Sequence, residues 1–326
     1  MKKISVIGAG TWGTALAVLL GEKGFDVKLC PKRKQLSDEI ESKRENTQYL
    51  PGIKIPQNVI AEHSLKRALK ASETIIVTVP SEFFRNTIRK IKPYFDAQII
   101  ISAAKGLEYN TCKTMSQAIE EELGKKTKIA VLSGPNHAKE VSRKLITASI
   151  IASKDGKVGK IAADSLGTDY FRIYQLNDII GVEICGALKN TSAIAVGICD
   201  GIGLGDNANA SILTLGLMEM NNFGRHFGAK RGTVYGLAGV GDLIATCTSK
   251  HSRNRFVGEQ LSKGKTMEEI KKEMHGMVAE GIPTAKAVYE YSRRQGIEMP
   301  LTHQVYEVLF EGKNINTAIR DLLNLV

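Results

Sequence analysis

Met1-Lys-Lys-Ile-Ser-Val-Ile-Gly8-Ala-Gly10-Thr-Trp-Gly13 delivers a short aliphatic run into a GxGxxG turn, and Thr14-Ala-Leu-Ala-Val-Leu-Leu20 continues it as an apolar helix. A strand, a glycine turn and a helix in that order give each glycine a task. Gly8 makes the tight turn, Gly10 lets a pyrophosphate approach the backbone, and Gly13 lets the helix pack against the strand. The pyrophosphate sits at the helix N-terminus, where unbonded N–H groups and the helix dipole favour an anion. About twenty residues on, a site selective for a free ribose 2′-hydroxyl carries an acid. Here the chain reads Leu29-Cys30-Pro31-Lys32-Arg33-Lys34. Cations there suit a 2′-phosphate, so NADP is favoured over NAD; an ordinary solvated basic loop reads the same way.

Working outward, residues 26–29, 74–79, 97–102, 128–132 and 147–152 are further aliphatic runs, separated by helix-compatible stretches such as 82–91 and 111–123. Near-continuous aliphatic strands between helices describe a parallel sheet covered on both faces. The expected fold class is α/β, with a doubly wound, Rossmann-like N-terminal domain over residues 1–179. Beyond Asp178 the strand signal fades and the segments 208–224, 252–261, 267–274 and 283–295 read as helices. An all-α C-terminal domain is expected over residues 180–326, with the cleft between the two as the expected site.

The 326 residues, 43% of them hydrophobic, suffice for two cores. No apolar run reaches 18 residues free of charge, and the chain enters a strand at once. Neither a membrane span nor a signal peptide is expected, and the location expected is cytoplasmic. Five scattered cysteines without CxxC or paired Cys/His spacing give no metal site and no disulfide framework. The net charge of +11 is spread along the chain with acids interleaved and no aromatic-basic clustering, which fits phosphate-bearing small ligands better than nucleic acid.

Four further stretches carry chemistry. Lys189 lies deep in the weakly polar run 181–197, where the nearest acid, Glu183, points elsewhere on a helix; its ammonium must meet a distant carboxylate or a ligand, or else snorkel to the surface. A desolvated amine is suited to proton transfer. Ser102-Ala-Ala-Lys105-Gly106 and Ser133-Gly134-Pro135-Asn136 each follow a strand, at the carboxyl rim where ligands bind in such sheets. Gly236-Leu-Ala-Gly239-Val-Gly241-Asp242 concentrates glycine before one acid, which can partner Lys189, cap a helix over 243–247, or do both. Ser252-Arg253-Asn254-Arg255 places a cap, guanidinium groups and an amide at a helix start, a cradle for an oxyanion or phosphate.

As a set, Gly8-Ala-Gly-Thr-Trp-Gly13, Leu50-Pro-Gly52, Lys105-Gly-Leu107, Ser133-Gly-Pro135, Lys189-Asn190, Gly239-Val-Gly-Asp-Leu243 and Ser252-Arg-Asn-Arg255 resemble, in order and spacing, bacterial NAD(P)-dependent glycerol-3-phosphate dehydrogenase. The resemblance covers nearly the whole chain. It implies hydride transfer between NAD(P) and the carbinol of sn-glycerol 3-phosphate, giving dihydroxyacetone phosphate, in the service of glycerophospholipid synthesis. It implies Lys189 as proton acceptor with Asp242 and Lys105 beside it. Lys105, Gly134, Asn136, Lys189, Asp242, Ser252, Arg253 and Asn254 become substrate contacts. Gly8, Gly10, Thr11, Trp12, Gly13, Lys32, Arg33, Tyr49, Lys105, Ala138, Arg253, Val278 and Glu280 become cofactor contacts. Asn136 departs from the Ser or Thr usual there, His137 from Phe, and Cys30 from the tryptophan that often ends the second strand. A related hydroxyacid or hydroxyacyl dehydrogenase and a non-catalytic NADPH sensor are the competing readings. Apolar helical segments such as 212–218 make a homodimer the expected assembly.

Overall fold

The computed structural model describes residues 2–274 and 276–323, so the ends of the two expected domain ranges, Met1 and 324–326, lie outside the described residues. The chain divides into two compact units, Met1–Ala104 with Met115–Ile179, and Lys105–Thr114 with Ile180–Val326.

The first unit is built on strands β1 (Lys3–Ile7), β2 (Asp26–Cys30), β3 (Glu45–Asn46), β4 (Leu50–Lys54), β5 (Val59–Ala61), β6 (Thr74–Val77), β7 (Ile99–Ser102), β8 (Lys128–Ser133), β9 (Thr147–Ala152) and β10 (Phe171–Leu176). Eight of the described strands form one sheet in the order β10-β9-β8-β7-β6-β1-β2-β5; β3 and β4 form a separate hairpin. Its helices are α1 (Thr11–Glu22), α2 (Lys34–Lys43), α3 (Leu65–Leu69), α4 (Ser81–Ile91), α5 (Met115–Leu123), α6 (Ala138–Val141) and α7 (Gly156–Leu166). Isoleucines and valines on alternate positions divide between two cores, one under α1 and α7, the other under α4 and α5. Both faces are therefore covered, as in doubly wound folds.

Strand order reverses at β1, which pairs β2 on one side and β6 on the other, both parallel; this is the switch point where ligands of open α/β sheets bind. The expectation of a purely parallel sheet needs correction at one edge. β9 pairs β8 antiparallel, and β10 pairs β9 in parallel. The only helix between β8 and β9 is the four-residue α6, too short to carry the chain back across the sheet for a parallel crossover.

The second unit is helical: α8 (Ile179–Gly201), α9 (Asp206–His226), α10 (Arg231–Val234), a five-residue π turn at Leu237–Gly241, α11 (Asp242–Thr248), α12 (Arg253–Ser262), α13 (Met267–Glu273), α14 (Gly281–Gln295), α15 (Pro300–Phe310) and α16 (Ile315–Leu323). By length and composition α8 could cross a membrane, but 94% of its apolar window is buried inside the protein, which makes it the core around which the others pack. Two glycines set how closely they pack. A Cβ on Gly197 of α8 would lie 2.0 Å from the Arg255 carbonyl oxygen of α12, and one on Gly258 of α12 would lie 2.0 Å from that of Ile194. Only hydrogen fits at such a backbone-to-backbone crossing. Lys105–Thr114 departs from the contiguous division expected, because Leu107 and Cys112 are buried in the same cluster as Leu188, Ile194 and Val288.

Candidate active site

In the first unit, Gly8 has φ +106°, a conformation natural to glycine, and a Cβ on Gly13 would stand 1.9 Å from the Gly8 carbonyl oxygen. Gly10 differs: it precedes α1, and a Cβ there would meet nothing within 4 Å. Among the described residues nothing crowds Gly10, which leaves open space beside the backbone at the start of α1. Two residues missed in the sequence hold this turn. Thr78, just past β6, donates to the carbonyl oxygens of Ile7 and Gly8 at 3.1 and 2.9 Å. Buried Asn46 in the hairpin donates to the Ala9 carbonyl at 2.9 Å and the Thr14 hydroxyl at 2.8 Å. Thr11 and Trp12 open α1, and the Trp12 indole meets Phe171 edge-on while its buried Nε1 has no partner among the described residues. Tyr49 lies in the hairpin turn against the sheet core. Beyond β2, Lys32 and Arg33 are exposed; the Lys32 ammonium sits 5.5 Å over the Phe83 ring, and Arg33 donates to Gln48 at 2.7 Å. Gly134, Asn136 and Ala138 follow β8, Gly134 with φ +119°.

In the second unit, Lys189 does not snorkel. It is 5% exposed, and Nζ donates to Asp242 Oδ1 at 2.8 Å and to the Thr246 hydroxyl at 2.6 Å. Lys105 donates to the other oxygen, Oδ2, at 2.7 Å. One carboxylate thus sits between two ammonium groups drawn from residues far apart in the chain. Asp242 is the first residue of α11 and Gly241 holds the cap position, so the acid partners lysines while Thr246, one turn on, completes the cluster. The π turn before it follows from Gly239, where a Cβ would lie 1.9 Å from the Val234 carbonyl oxygen. Burial works against the charge on Asp242, but Lys105 and Lys189 outweigh it and hold the carboxyl below its usual range. Burial pushes the Lys105 ammonium down to about 8, with Lys189 adding to the fall and Asp242 opposing it.

The buried amide of Asn190 ties this cluster to the expected phosphate cradle. It donates to the Lys105 carbonyl at 3.2 Å and accepts from Asn254 at 2.8 Å, whose own oxygen accepts from the Gly281 amide at 2.9 Å. Ser252 caps α12 by accepting from the Arg255 amide at 3.2 Å. The guanidinium of Arg255 is diverted from the cradle to Asp200 at 2.7 Å and Glu259 at 2.9 Å, while the Arg253 side chain is exposed and feels the Glu280 carboxylate. Val278 and Glu280 lie in the coil before α14. Lys105, Lys189, Asp242 and Asn254 therefore form one connected network, and Thr246 and Asn190 belong to it.

The family model described as NAD-dependent glycerol-3-phosphate dehydrogenase N-terminus matches residues 3–159, and its C-terminus counterpart matches residues 178–320. The chain belongs to the NAD-dependent glycerol-3-phosphate dehydrogenase family. Among its relatives in that family, the glycerol-3-phosphate dehydrogenase (NAD(P)+) of Chlorobium phaeobacteroides is 46% identical over 325 residues, covering 99% of this chain and 97% of the relative. That of Bacillus cytotoxicus is 45% identical over 329 residues, covering 100% and 96%. The crystal structure of glycerol-3-phosphate dehydrogenase from Coxiella burnetii superposes with a TM-score of 0.96 at 39% identity, covering 99% of this chain and 98% of that one. The sequence resemblance and the α/β-plus-helical fold class hold.

Proposed function

We propose that the protein interconverts sn-glycerol 3-phosphate and dihydroxyacetone phosphate. The observation that carries this reading is the buried Lys189–Asp242–Lys105 cluster, an acid-base group such an alcohol-ketone reaction needs. NAD(P) supplies or accepts the hydride, and the glycine turn with its open space at Gly10 fits a dinucleotide pyrophosphate. Residues 1–179 hold the cofactor and residues 180–326, with Lys105, act on the substrate. In reduction the Lys189 ammonium gives its proton to the C2 oxygen, and in oxidation Lys189, as the neutral amine, takes the C2 hydroxyl proton back; Asp242 holds both lysine side chains in position, and Lys105 stabilises negative charge developing on the substrate oxygen. The amides and side chains of Ser252, Arg253 and Asn254 orient the phosphate, binding energy remote from the reacting carbon. Lys32 and Arg33 favour NADP. A cytoplasmic, homodimeric enzyme supplying a phospholipid precursor completes the reading.

NADPH oxidation followed with dihydroxyacetone phosphate tests it. Lys189→Ala lowers kcat by about 10²–10⁴ while NADPH still binds, because a positioned proton donor is worth that much. The variant folds, since Asp242 keeps Lys105 as counter-charge. Unchanged turnover sinks the assignment; turnover only with other ketones, such as the ketoacids or ketoacyl compounds that hydroxyacid and hydroxyacyl dehydrogenases reduce, or binding without turnover, points to the competing readings.

A further inference from the structure

β10 closes one edge of the eight-stranded sheet and pairs β9 over all six of its residues, Phe171–Leu176, without a break in register. Sheets commonly guard such an edge with a proline, a lysine or a bulge, and this strand carries none of them. Its ladder fixes which backbone groups face outward. The Tyr170 carbonyl accepts from the Thr147 amide at 2.7 Å, and the Leu176 carbonyl accepts from the Ser153 amide at 3.0 Å. Alternate residues of a strand turn to opposite neighbours, so Tyr170, Arg172, Tyr174 and Leu176 bond β9 while Phe171, Ile173 and Gln175 turn away from it. Phe171 is already satisfied: its amide donates to the Thr168 hydroxyl and its carbonyl accepts from the Thr168 amide, both at 2.9 Å. The amides and carbonyls of Ile173 and Gln175 have no partner among the described residues. Side chains alternate too. Phe171 and Ile173 enter the core under α1 and α7, whereas exposed Arg172, Tyr174 (57%) and Leu176 (38%) stand on the opposite face.

We propose that β10 is the seam of the homodimer, pairing antiparallel with β10 of a second copy of this chain about a two-fold axis through Tyr174. The proposal rests on the homodimer in the function given above and locates its interface. A two-fold axis that joins identical edges with their hydrogen bonds in step makes the two strands antiparallel. With the axis at Tyr174, Ile173 of each copy faces Gln175 of the other as a hydrogen-bonded pair, and all four outward groups of each copy find partners. An axis at Ile173 sets Gln175 against the already bonded Phe171, and one at Gln175 needs Asn177, where the chain bends out of the strand. The side chains agree with this register. The two Tyr174 rings meet at the axis as a non-hydrogen-bonded pair, and Arg172 lies diagonally across from the second copy's Tyr174, so a cation meets an aromatic ring and not another cation. The segment 212–218 competes poorly for this role, because Ile212 is buried and Leu213, Leu215 and Leu217 pack against the helical core.

Sedimentation velocity on the full chain over a dilution series tests it. The unsubstituted protein sediments as a dimer that dissociates on dilution. Tyr174→Lys sets two ammonium groups face to face at the axis and weakens self-association by about a hundredfold, as like charges across an interface do. The circular dichroism spectrum stays that of the parent, because the side chain is exposed. Mixing in Tyr174→Glu protein draws the lysine variant back into a dimer, a rescue that requires residue 174 to face itself. Gln175→Pro, which removes an outward amide that β9 does not use, weakens the dimer as well. A lysine variant that sediments like the parent, or one that the glutamate variant fails to rescue, overturns the seam and leaves the homodimer standing. A parent that is monomeric at every dilution removes both, and the catalytic assignment is untouched.

Discussion

Asp242 shares its two oxygens between two ammonium groups, leaving one positive charge in excess in the cluster, and that excess titrates. Lys105, lowered to about 8, is charged below that pH and neutral above it. Ketone reduction builds negative charge on oxygen, so kcat/KM is expected to hold below pH 8 and fall as pH rises through it. Lys105→Arg, charged at every working pH, lowers the plateau but loses that limb, because a planar guanidinium replaces a point charge. A pH profile of both proteins decides it; a limb that survives in the arginine variant assigns the titration elsewhere. At this scale the sequence singles out Lys189, since a cation among aliphatics without a nearby acid needs a distant partner, a ligand or a route to the surface, and the structure selects the first. Thr246, Thr78 and Asn46 do not stand out, because a small polar residue becomes informative only once the fold has brought its partner from 4 to 71 positions away. Arg255 misleads for the same reason: its partner Asp200 lies 55 residues back.

Among the elements, the turn between β1 and α1 separates two reasons for being glycine. Gly13→Ala drives a Cβ into the Gly8 carbonyl and the Thr78 hydroxyl, and is expected to lower stability by roughly 1–3 kcal/mol, the usual cost of overpacking. Gly10→Ala meets empty space, so the thermal midpoint should stay within about a degree of the parent while NADPH affinity drops. Calorimetry and a fluorescence titration on the pair distinguish the two, and an unfolded Gly10→Ala protein contradicts the ligand role. Central strands are legible because burial on both faces writes them as unbroken aliphatics. Edge elements are not: β10, Phe171-Arg-Ile-Tyr-Gln-Leu176, is exposed over most of its length, and β5 has three residues. The direction of β9 is equally silent, since antiparallel and parallel neighbours of a buried strand demand the same side chains.

For the whole molecule, the link between stability and pH runs through Glu219. This buried acid of α9 accepts from the amides of Leu301 and Thr302 and from the Thr302 hydroxyl, fastening the start of α15 to the core. Burial pushes it from the usual 4.5 up to about 7, the hydrogen bonds opposing the rise only in part. A raised carboxyl favours the folded state below its unfolded pKa, and the advantage is lost as pH climbs from about 4.5 through 7. The change is on the order of 3 kcal/mol. Glu219→Gln should flatten that slope, read as thermal midpoints at pH 5 and pH 8. An unaltered slope would place the titration elsewhere. Lys105–Thr114 has a different consequence at this scale. A polypeptide begun at residue 180 would inherit the acid with one of its two counterions and a hole where Leu107 and Cys112 belong, so the helical half is not a free-standing module but a fold finished by a loan from the sheet's own connections.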